Sequence, residues 1–278
     1  MKGARNIAAV AVARLAAAVM VVVMATASLA QTAPQGDPPA APPAAAPPVS
    51  ADCQTPGITM AGDIPMANVM LALKDRKVIR ILAIGASASG GREAGDNSYY
   101  GIIEGALEKT IPGVDVKIIN KGISGELASD AAERMRTLVA LVKPDLVLWQ
   151  LGTHDALRQV PVDEFKTVVS DTLAWLRRHN VDVVIVGLHY LRRLADDPHY
   201  QAIRAALSQI GEEQKVLRIG RYEAMQVIEQ TRASRNGPPP NEFSLTEDGY
   251  SCLAEYVARA VASGVFARKD PSTLKPRG

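Results

Sequence analysis

The 278-residue chain has little of three things: cysteine, histidine and net charge. It contains two cysteines and four histidines, and its formal net charge is +2. A chain so close to neutrality lacks the basic surface that nucleic-acid binding requires. Its cysteines, histidines and aspartates do not recur at the spacing of a metal site, so we predict no metal and no other cofactor.

Long hydrophobic runs are also missing, and this decides the interpretation of the N-terminus. Lys2 and Arg5 precede an apolar segment at 15–25 that is shorter than the roughly 20 residues needed to span a bilayer. A small-residue pattern, SLA at 28–30, follows it. These features predict a secretory signal peptide over residues 1–30, cleaved during export to the periplasm or the medium, rather than a membrane anchor. Cleavage would remove three positive charges and no acid, which leaves a formal charge of −1.

The rest of the chain divides into a tether, a domain and a tail. Residues 31–52 are rich in proline and alanine, which is typical of an extended linker. We predict the folded domain over residues 53–266 and a flexible tail over 267–278. In an exported protein the two cysteines, Cys53 and Cys252, suggest one disulfide between the start of the domain and its last helix. The alternative is two unpaired buried thiols.

Apolar segments alternate with helical patterns throughout the predicted domain. The predicted strands cover residues 78–84, 114–120, 145–151, 181–188 and 216–219. Helices are predicted at 99–111, 131–142, 164–179, 201–214, 222–230 and from Thr246 onward, and residues 152–163 are predicted as a loop. This alternation predicts an α/β domain with a parallel sheet, right-handed crossovers and helices on both faces.

Residues capable of chemistry follow the predicted strands. The first strand runs into Gly85-Ala86-Ser87, NKGISGE follows the second at 120–126, and GTHD follows the third at 152–155. Because ligands bind outside the carboxyl ends of strands in an open α/β sheet, these loops should form one site. Ser87 could instead be a small residue in a tight turn. A phosphate-binding loop is disfavoured, since the segment lacks both GxGxxG and the lysine of a P-loop.

Taken in order with NEFSLTEDGY at 241–250, these loops resemble the SGNH/GDSL-type hydrolase family over about residues 78–261. The resemblance implies a flavodoxin-like three-layer α/β/α sandwich with a mainly parallel five-stranded sheet. It also implies hydrolysis of esters and thioesters, often the removal of acetyl groups from carbohydrates. Ser87 matches the nucleophile of the family. Its own N–H, the N–H of Gly125 and the side chain of His154 match the oxyanion hole, whose donors must face the developing negative charge.

The chain departs from the family pattern beside the nucleophile and in the last block. Ala86 stands where the family has Asp, and His154 stands where it has Asn; an imidazole can also donate a hydrogen bond to an oxyanion. Asn241 and Ser244 occupy the positions of the catalytic Asp and His. Neither can accept the proton of the nucleophile or orient a base near neutral pH, and none of the four histidines lies in this block.

The base would therefore come from another part of the chain. His189 ends the fourth predicted strand and is the best candidate, with His154 as the other; His199 is a much weaker candidate. His189 could instead be a hydrogen-bonded edge residue without a catalytic role. His179 lies at a predicted helix end, where a cationic residue offsets the helix dipole, and is interpreted as structural.

Two functions remain open from the sequence. The first is an exported ester hydrolase acting on a small acyl ester, for example on a carbohydrate, with Ser87, Gly125, His154 and His189 as catalytic residues. Ser89, Asp155 and Ser244 are then candidate binding residues, although Asp155 and His154 could also be a solvated loop pair. The alternative is a catalytically inactive member that binds an acylated glycan or an envelope partner. Neither involves nucleic acid, or a membrane once the signal is cleaved.

Overall fold

The secondary structure follows the predicted alternation of strands and helices. The computed structural model describes residues 50, 53, 64–85, 98–233 and 247–267. The strands are β1 (Val78–Gly85), β2 (Asp115–Asn120), β3 (Leu146–Gln150), β4 (Asp182–Val186) and β5 (Leu217–Ile219). The helices are α1 (Ala67–Asp75), α2 (Tyr99–Thr110), α3 (Ala128–Val142), α4 (Thr153–Leu157), α5 (Val162–Arg178), α6 (Pro198–Gln214), α7 (Arg221–Ala233) and α8 (Glu247–Phe266).

The five strands form one sheet in the order β2-β1-β3-β4-β5, and every neighbouring pair is parallel. This confirms the predicted α/β class and the five-stranded parallel sheet. The order is the flavodoxin-like one, in which the direction of winding changes between β1 and β3. Ligand sites of such sheets lie at this switch point, outside the carboxyl ends of the strands.

Two apolar layers bury the sheet on both faces, which explains why its strands are nearly continuous runs of valine, isoleucine and leucine. Successive residues of β1 point to opposite layers: Ile81 belongs to one core cluster and Leu82 to the other. The first layer includes residues of α1, α2, α7 and α8, and the second includes residues of α3, α4, α5 and α6. The result is the predicted three-layer sandwich.

Several helix boundaries are explained by local chemistry. The Ser98 hydroxyl accepts a hydrogen bond from the N–H of Gly101 at 3.0 Å and caps α2. Lys143 adopts a left-handed conformation and ends α3 before Pro144. His179 ends α5, where its ring stacks on Trp175. This is the structural position predicted for His179.

Two helices were not predicted, and α4 corrects the loop assigned to residues 152–163. Both are short, with nine residues in α1 and five in α4, so neither produces a clear helical period. The N-terminus of α1 is capped from a distant strand, because the Asp182 carboxylate accepts hydrogen bonds from the backbone N–H groups of Asn68 and Val69 at 2.8 and 3.0 Å. Such a contact joins residues more than 110 positions apart and leaves no local signal in the sequence.

Cys53 and Cys252 form a disulfide, with their Cα atoms 5.1 Å apart. The predicted pairing is therefore confirmed, and the alternative of two free thiols is wrong. The Tyr256 hydroxyl donates a hydrogen bond to the carbonyl of Cys53, and the N–H of Ser50 donates to the Glu255 carboxylate at 2.8 Å. The start of the domain is thus held against α8, and a loop of 199 residues is closed. Closing so long a loop restricts the unfolded chain strongly.

The predicted signal peptide, tether and tail lie outside the described residues, apart from Ser50 and Ala267. Their boundaries at 1–30, 31–52 and 267–278 stay predictions. Within the described ranges, none of the helices is both long enough and apolar enough to span a bilayer.

Candidate active site

The carboxyl ends of the strands meet along one side of the sheet, which we call the carboxyl edge. The last residue of β1, Gly85, is paired with Gln150, the last residue of β3. The loop after β2 is tied to the same point, because the N–H of Ile123 donates to the carbonyl of Gly85 at 3.1 Å. Gly125 follows Ile123 by two residues, and Ser87 follows Gly85 by two residues in the sequence. The loops predicted to carry these two residues therefore start from one hydrogen-bonded contact.

Glycine is required at position 85 by close packing and by backbone conformation. Its φ is +101°, and a Cβ there would lie 2.0 Å from the carbonyl oxygen of Gln150. No other residue avoids this overlap with a neighbouring backbone. Gly85 thus allows β1 to end against β3.

Gly125 also has a positive φ, +82°, but for a different reason. No described atom lies within 4 Å of the position that a Cβ would take. The backbone conformation, not lack of space, favours glycine here.

Asp155 joins the loop of Gly125 to the loop of His154. Only 1% of its surface is exposed. Its carboxylate accepts a hydrogen bond from the N–H of Ala128 at 2.8 Å, where α3 begins, and another from the N–H of Gly152 at 3.0 Å, just before α4. The interpretation of Asp155 as half of a solvated pair is therefore wrong. Burial raises the pKa of its carboxyl group, and the backbone donors limit that rise.

A second buried acid fixes the same loop from its other side. Glu126, next to Gly125, is buried and forms an ion pair with the Arg134 guanidinium. Arg134 also donates to the carbonyl of Lys121 at 2.7 Å. The loop between β2 and α3 is thus held at its start by Arg134 and at its end by Asp155. These two side chains, and not contacts of Gly125 itself, fix the position of Gly125.

His154, in the first turn of α4, is half-buried. Within the described part of the chain, its Nδ1 is enclosed and has no hydrogen-bond partner. Burial lowers the pKa of this imidazole, and the nearby Asp155 carboxylate offsets only part of the effect. The ring is therefore neutral near pH 7, with one N–H donor and one acceptor nitrogen. A neutral donor of this kind can stabilise an oxyanion without first losing or gaining a proton.

His189 follows β4 and is held by its backbone. Its N–H donates to the Thr153 hydroxyl at 2.9 Å, and its carbonyl accepts from the Tyr200 hydroxyl at 2.8 Å. The residue is 3% exposed, and Nδ1 of its ring finds no acceptor or donor among the residues that the structure describes. Thr153 precedes His154, so these bonds place both histidines at the carboxyl edge.

The charges around His189 are opposite to those of a catalytic triad. In a triad a carboxylate stabilises the imidazolium that forms when the histidine takes the proton of the nucleophile. Here burial lowers the pKa of His189 well below its ordinary value, and the positive charge of Arg221 and the neighbouring His154 lower it further. His189 is consequently a weak base, because burial disfavours its imidazolium and the charge of Arg221 adds to that effect.

The low pKa of His189 predicts a loss of stability in mild acid. In the unfolded chain this histidine titrates near its ordinary pKa of about 6.5, whereas the folded protein resists protonation. Below pH 6.5 the unfolded state therefore binds a proton that the folded state does not, and the free energy of unfolding falls by up to about 1.4 kcal/mol per pH unit. Urea denaturation between pH 7.5 and 5 should show this slope in the wild type and a shallower one in His189→Gln. An equal slope in both proteins would contradict the prediction, and His179→Gln, at an exposed site, is the matched control.

The structure brings four of the predicted site residues to the carboxyl edge, namely Gly125, His154, Asp155 and His189. Ser87, Ser89 and Ser244 lie outside the described residues, as does Asn241. His199, the weaker candidate for the base, lies in the first turn of α6. Across the ranges described, His, Cys, Asp and Glu side chains do not gather in groups of three or more that could hold a metal ion.

Sequence reasoning missed Thr153 and Arg221. Thr153 positions His189 through its hydroxyl, and Arg221 is a fully buried charge at the start of α7. A signal for Arg221 was present, because it lies two residues after the short strand β5 and hence at the same edge as the other candidates. Its burial could not be foreseen, since arginine at the first turn of a helix is usually exposed.

The parallel sheet and the loops gathered at its carboxyl edge define a hydrolase-like α/β sandwich of the SGNH/GDSL type. The sequence model of the Non-GDSL lipase-like family matches residues 52–267, so the chain belongs to that family. The family match, together with solved neighbours that include GDSL-like lipases and acylhydrolases, confirms the resemblance drawn from the loops.

Two curated relatives are esterases. An arylesterase from Vibrio mimicus is 29% identical over 122 residues, which is 42% of this chain and 60% of the relative. An acetylxylan esterase from Geobacillus stearothermophilus is 24% identical over 123 residues, which is 41% of this chain and 54% of the relative. Each match thus spans less than two thirds of the relative's length.

Solved structures show the same fold over most of their length. A lipase/acylhydrolase from Enterococcus faecalis superposes with a TM-score of 0.55 at 20% identity, covering 66% of this chain and 95% of that one. The acetylxylan esterase of Geobacillus stearothermophilus gives a TM-score of 0.54 at 20% identity, with 66% and 94% covered. At such identities the likeness concerns the fold alone.

Proposed function

We propose that this protein is an exported ester hydrolase that removes a small acyl group, for example from a carbohydrate. Membership of a lipase-like family and two relatives that are esterases support ester chemistry. The name of the second relative, an acetylxylan esterase, supports an acylated carbohydrate as the substrate class. The disulfide supports export, because such bonds persist in oxidising compartments.

One observation carries the proposal: hydrogen bonds join the end of β1, which Ser87 follows by two residues in the sequence, to the loops that hold Gly125 and His154. Ile123 links the loop of Gly125 to the end of β1, from which Ser87 follows. Asp155 links the same loop to the one that holds His154. Preorganised donors of this kind are the main requirement for stabilising a tetrahedral intermediate.

In the proposed reaction, the Ser87 hydroxyl attacks the acyl carbon and the ester carbonyl oxygen becomes an oxyanion. The N–H groups of Ser87 and Gly125 and the imidazole N–H of His154 donate to that oxyanion. The proton of Ser87 passes to His189, which returns it to the departing alcohol, and water then releases the acyl group. Asp155 acts as a positioning residue because its carboxylate holds the two oxyanion loops together.

A catalytically inactive, ligand-binding role is the second candidate. The observation in its favour is electrostatic: among the described residues no carboxylate raises the pKa of His189, and the charge of Arg221 lowers it. The sequence agrees, since Asn241 and Ser244 replace the acid and base of the family's last block. A binding protein would retain the fold and the edge loops without needing a strong base.

Hydrolysis of 4-nitrophenyl acetate by the purified protein tests the proposal. We expect slow, saturable turnover that Ser87→Ala reduces about 10²-fold, to the rate in buffer, since a nucleophile with a weak base gives only part of the usual acceleration. Ser208→Ala, in α6, is the matched control and should leave the rate unchanged, because its hydroxyl bonds only to its own helix. Turnover that survives Ser87→Ala would rule out the assigned nucleophile, and no turnover in the wild type would favour the binding role.

A further inference from the structure

Arg221 is a buried cation for which the described residues supply no hydrogen-bond partner. It is the first residue of α7, it follows β5 at the carboxyl edge, and its side chain is completely buried. Nε, Nη1 and Nη2 all lack a hydrogen-bond acceptor among the residues that the structure describes. The acid closest in sequence, Glu223, instead accepts from Arg204 at 2.7 Å. Buried polar groups in native proteins almost always have partners, so an unpaired guanidinium indicates a ligand.

The surroundings of Arg221 leave its positive charge uncompensated. Its electrostatic neighbours are four tyrosines, Tyr99, Tyr100, Tyr200 and Tyr250. Burial raises the pKa of Tyr99 and of Tyr200, so neither supplies a negative charge near pH 7. Burial lowers the pKa of Arg221 only to about 10, and the guanidinium therefore stays protonated. The cluster carries one net positive charge in a region of low dielectric.

The donors near Arg221 suit a single carboxylate. A guanidinium presents a planar fork that matches the two oxygens of a carboxylate. The Tyr99 hydroxyl, buried and without a partner in the described chain, is a further donor beside it. One carboxylate would cancel the single positive charge, whereas a doubly charged phosphate would replace one uncompensated buried charge with another.

This cation belongs to the same edge as the candidate active site. The pKa of His189 is lowered by the charge of Arg221 in addition to burial, and its backbone N–H donates to Thr153 in the loop of His154. An anion on Arg221 would therefore lie near the imidazole that receives the proton of Ser87. It would also supply the negative charge that the substituted last block no longer provides.

We propose that Arg221 binds a carboxylate carried by the ester substrate, which makes the substrate class an acyl ester of an acidic molecule such as a sugar acid. The inference rests on the proposed function, because the carboxylate is taken to be part of the ester that the protein hydrolyses. Binding of the anion neutralises Arg221 and makes His189 a stronger base. The unliganded protein is then a poor hydrolase of neutral esters.

The test is a binding titration that requires no turnover. Sodium glucuronate, glucose, sodium acetate, sodium chloride and sodium phosphate are added to the wild type at matched ionic strength, and the ring signals of His189 are followed by NMR. The spectrum of His189→Gln assigns these signals among the four histidines. We expect a saturable shift with glucuronate, at least a tenfold weaker one with acetate, and none with glucose.

Variants of Arg221 extend the test. Arg221→Met removes an unpaired buried charge and should raise the thermal midpoint of the unliganded protein by several degrees while weakening glucuronate binding at least tenfold. Arg221→Lys keeps the charge without the fork and should bind at an intermediate level. Arg178→Met, on the exposed end of α5, is the matched control and should bind like the wild type. If Arg221→Met fails to fold, the wild-type titration and Arg221→Lys still decide.

Each outcome has a definite meaning. The inference is overturned if glucuronate produces no saturable shift or if Arg221→Met binds glucuronate as the wild type does. It is also overturned if chloride or phosphate binds as tightly as glucuronate, because the site would then bind inorganic anions without selecting a carboxylate. Acetate as strong as glucuronate would assign the site to the acid product and overturn the substrate class. Saturable glucuronate binding by a protein without Ser87-dependent turnover would overturn the proposed hydrolysis and leave the carboxylate site standing.

Discussion

Replacing Asp155 with alanine is expected to lower the free energy of unfolding by about 3–5 kcal/mol, because two buried N–H groups each lose their acceptor at about 1–3 kcal/mol and a small cavity remains. The groups are the N–H of Ala128 and the N–H of Gly152. Ester hydrolysis should fall about 10²-fold in the protein that still folds, since a displacement of about 1 Å in a positioning group has that effect. Loss of the carboxylate frees the two oxyanion loops from each other.

Urea denaturation and 4-nitrophenyl acetate hydrolysis at 25 °C measure the two effects together. Asp155→Asn should give an intermediate result, because an amide retains one acceptor oxygen of similar position. Asp171→Ala, on the exposed face of α5, is the control for removal of a negative charge and should change stability by less than about 0.5 kcal/mol. Wild-type stability in Asp155→Ala would show that the two hydrogen bonds do not hold the loops.

The sheet could be predicted from the sequence because its signal is local and repeated. Each strand is a short apolar run, and each run is followed by a helix with its own period. The two helices that were not predicted, α1 and α4, are too short to give such a repeated pattern. The N-terminus of α1 depends on Asp182, whose carboxylate comes from a distant strand, so the sequence holds no local signal for it. That of α4 depends on Asp155, only three residues after Gly152, but the helix has five residues and shows no period.

The candidate site was predictable as far as it depends on strand ends. Gly125 and His154 follow their strands directly, and parallel strands bring such residues to one edge. Asp155 shows where that reasoning stops, since an acid beside a histidine in a loop can be solvated or buried. Only packing against Ala128 and Gly152 decides between these states. Arg221 is a stronger case, because an unpaired buried arginine contradicts the rule by which arginines are assigned to the surface.

The electrostatics of the edge fit the predicted alignment of the last block, in which Asn241 and Ser244 take the places of the acid and the base. A hydrolase with Asp and His at positions 241 and 244 has its own base and its own negative charge. This chain has neither there, and the histidine at the end of β4 lies beside a cation instead. The lack of an acid and base at positions 241 and 244 and the positive charge near His189 have one explanation in common if a carboxylate of the ligand supplies the negative charge. They also predict that restoring the two residues should make the enzyme independent of that ligand.

Asn241→Asp/Ser244→His is expected to raise kcat/KM for 4-nitrophenyl acetate by about 10²–10⁴-fold, the usual contribution of a positioned general base. The imidazole would accept the proton of Ser87, and the new carboxylate would stabilise the imidazolium. Ser244→His alone should give a smaller gain, and Asn241→Asp alone should give none, because a carboxylate without an imidazole has nothing to orient. Adding Ser87→Ala to the double variant should abolish the gain. The contrary outcome is a double variant that folds, shows the wild-type rate and is insensitive to Ser87→Ala. It would mean that the last block does not face the nucleophile and that the assignment of positions 241 and 244 to the acid and base is wrong.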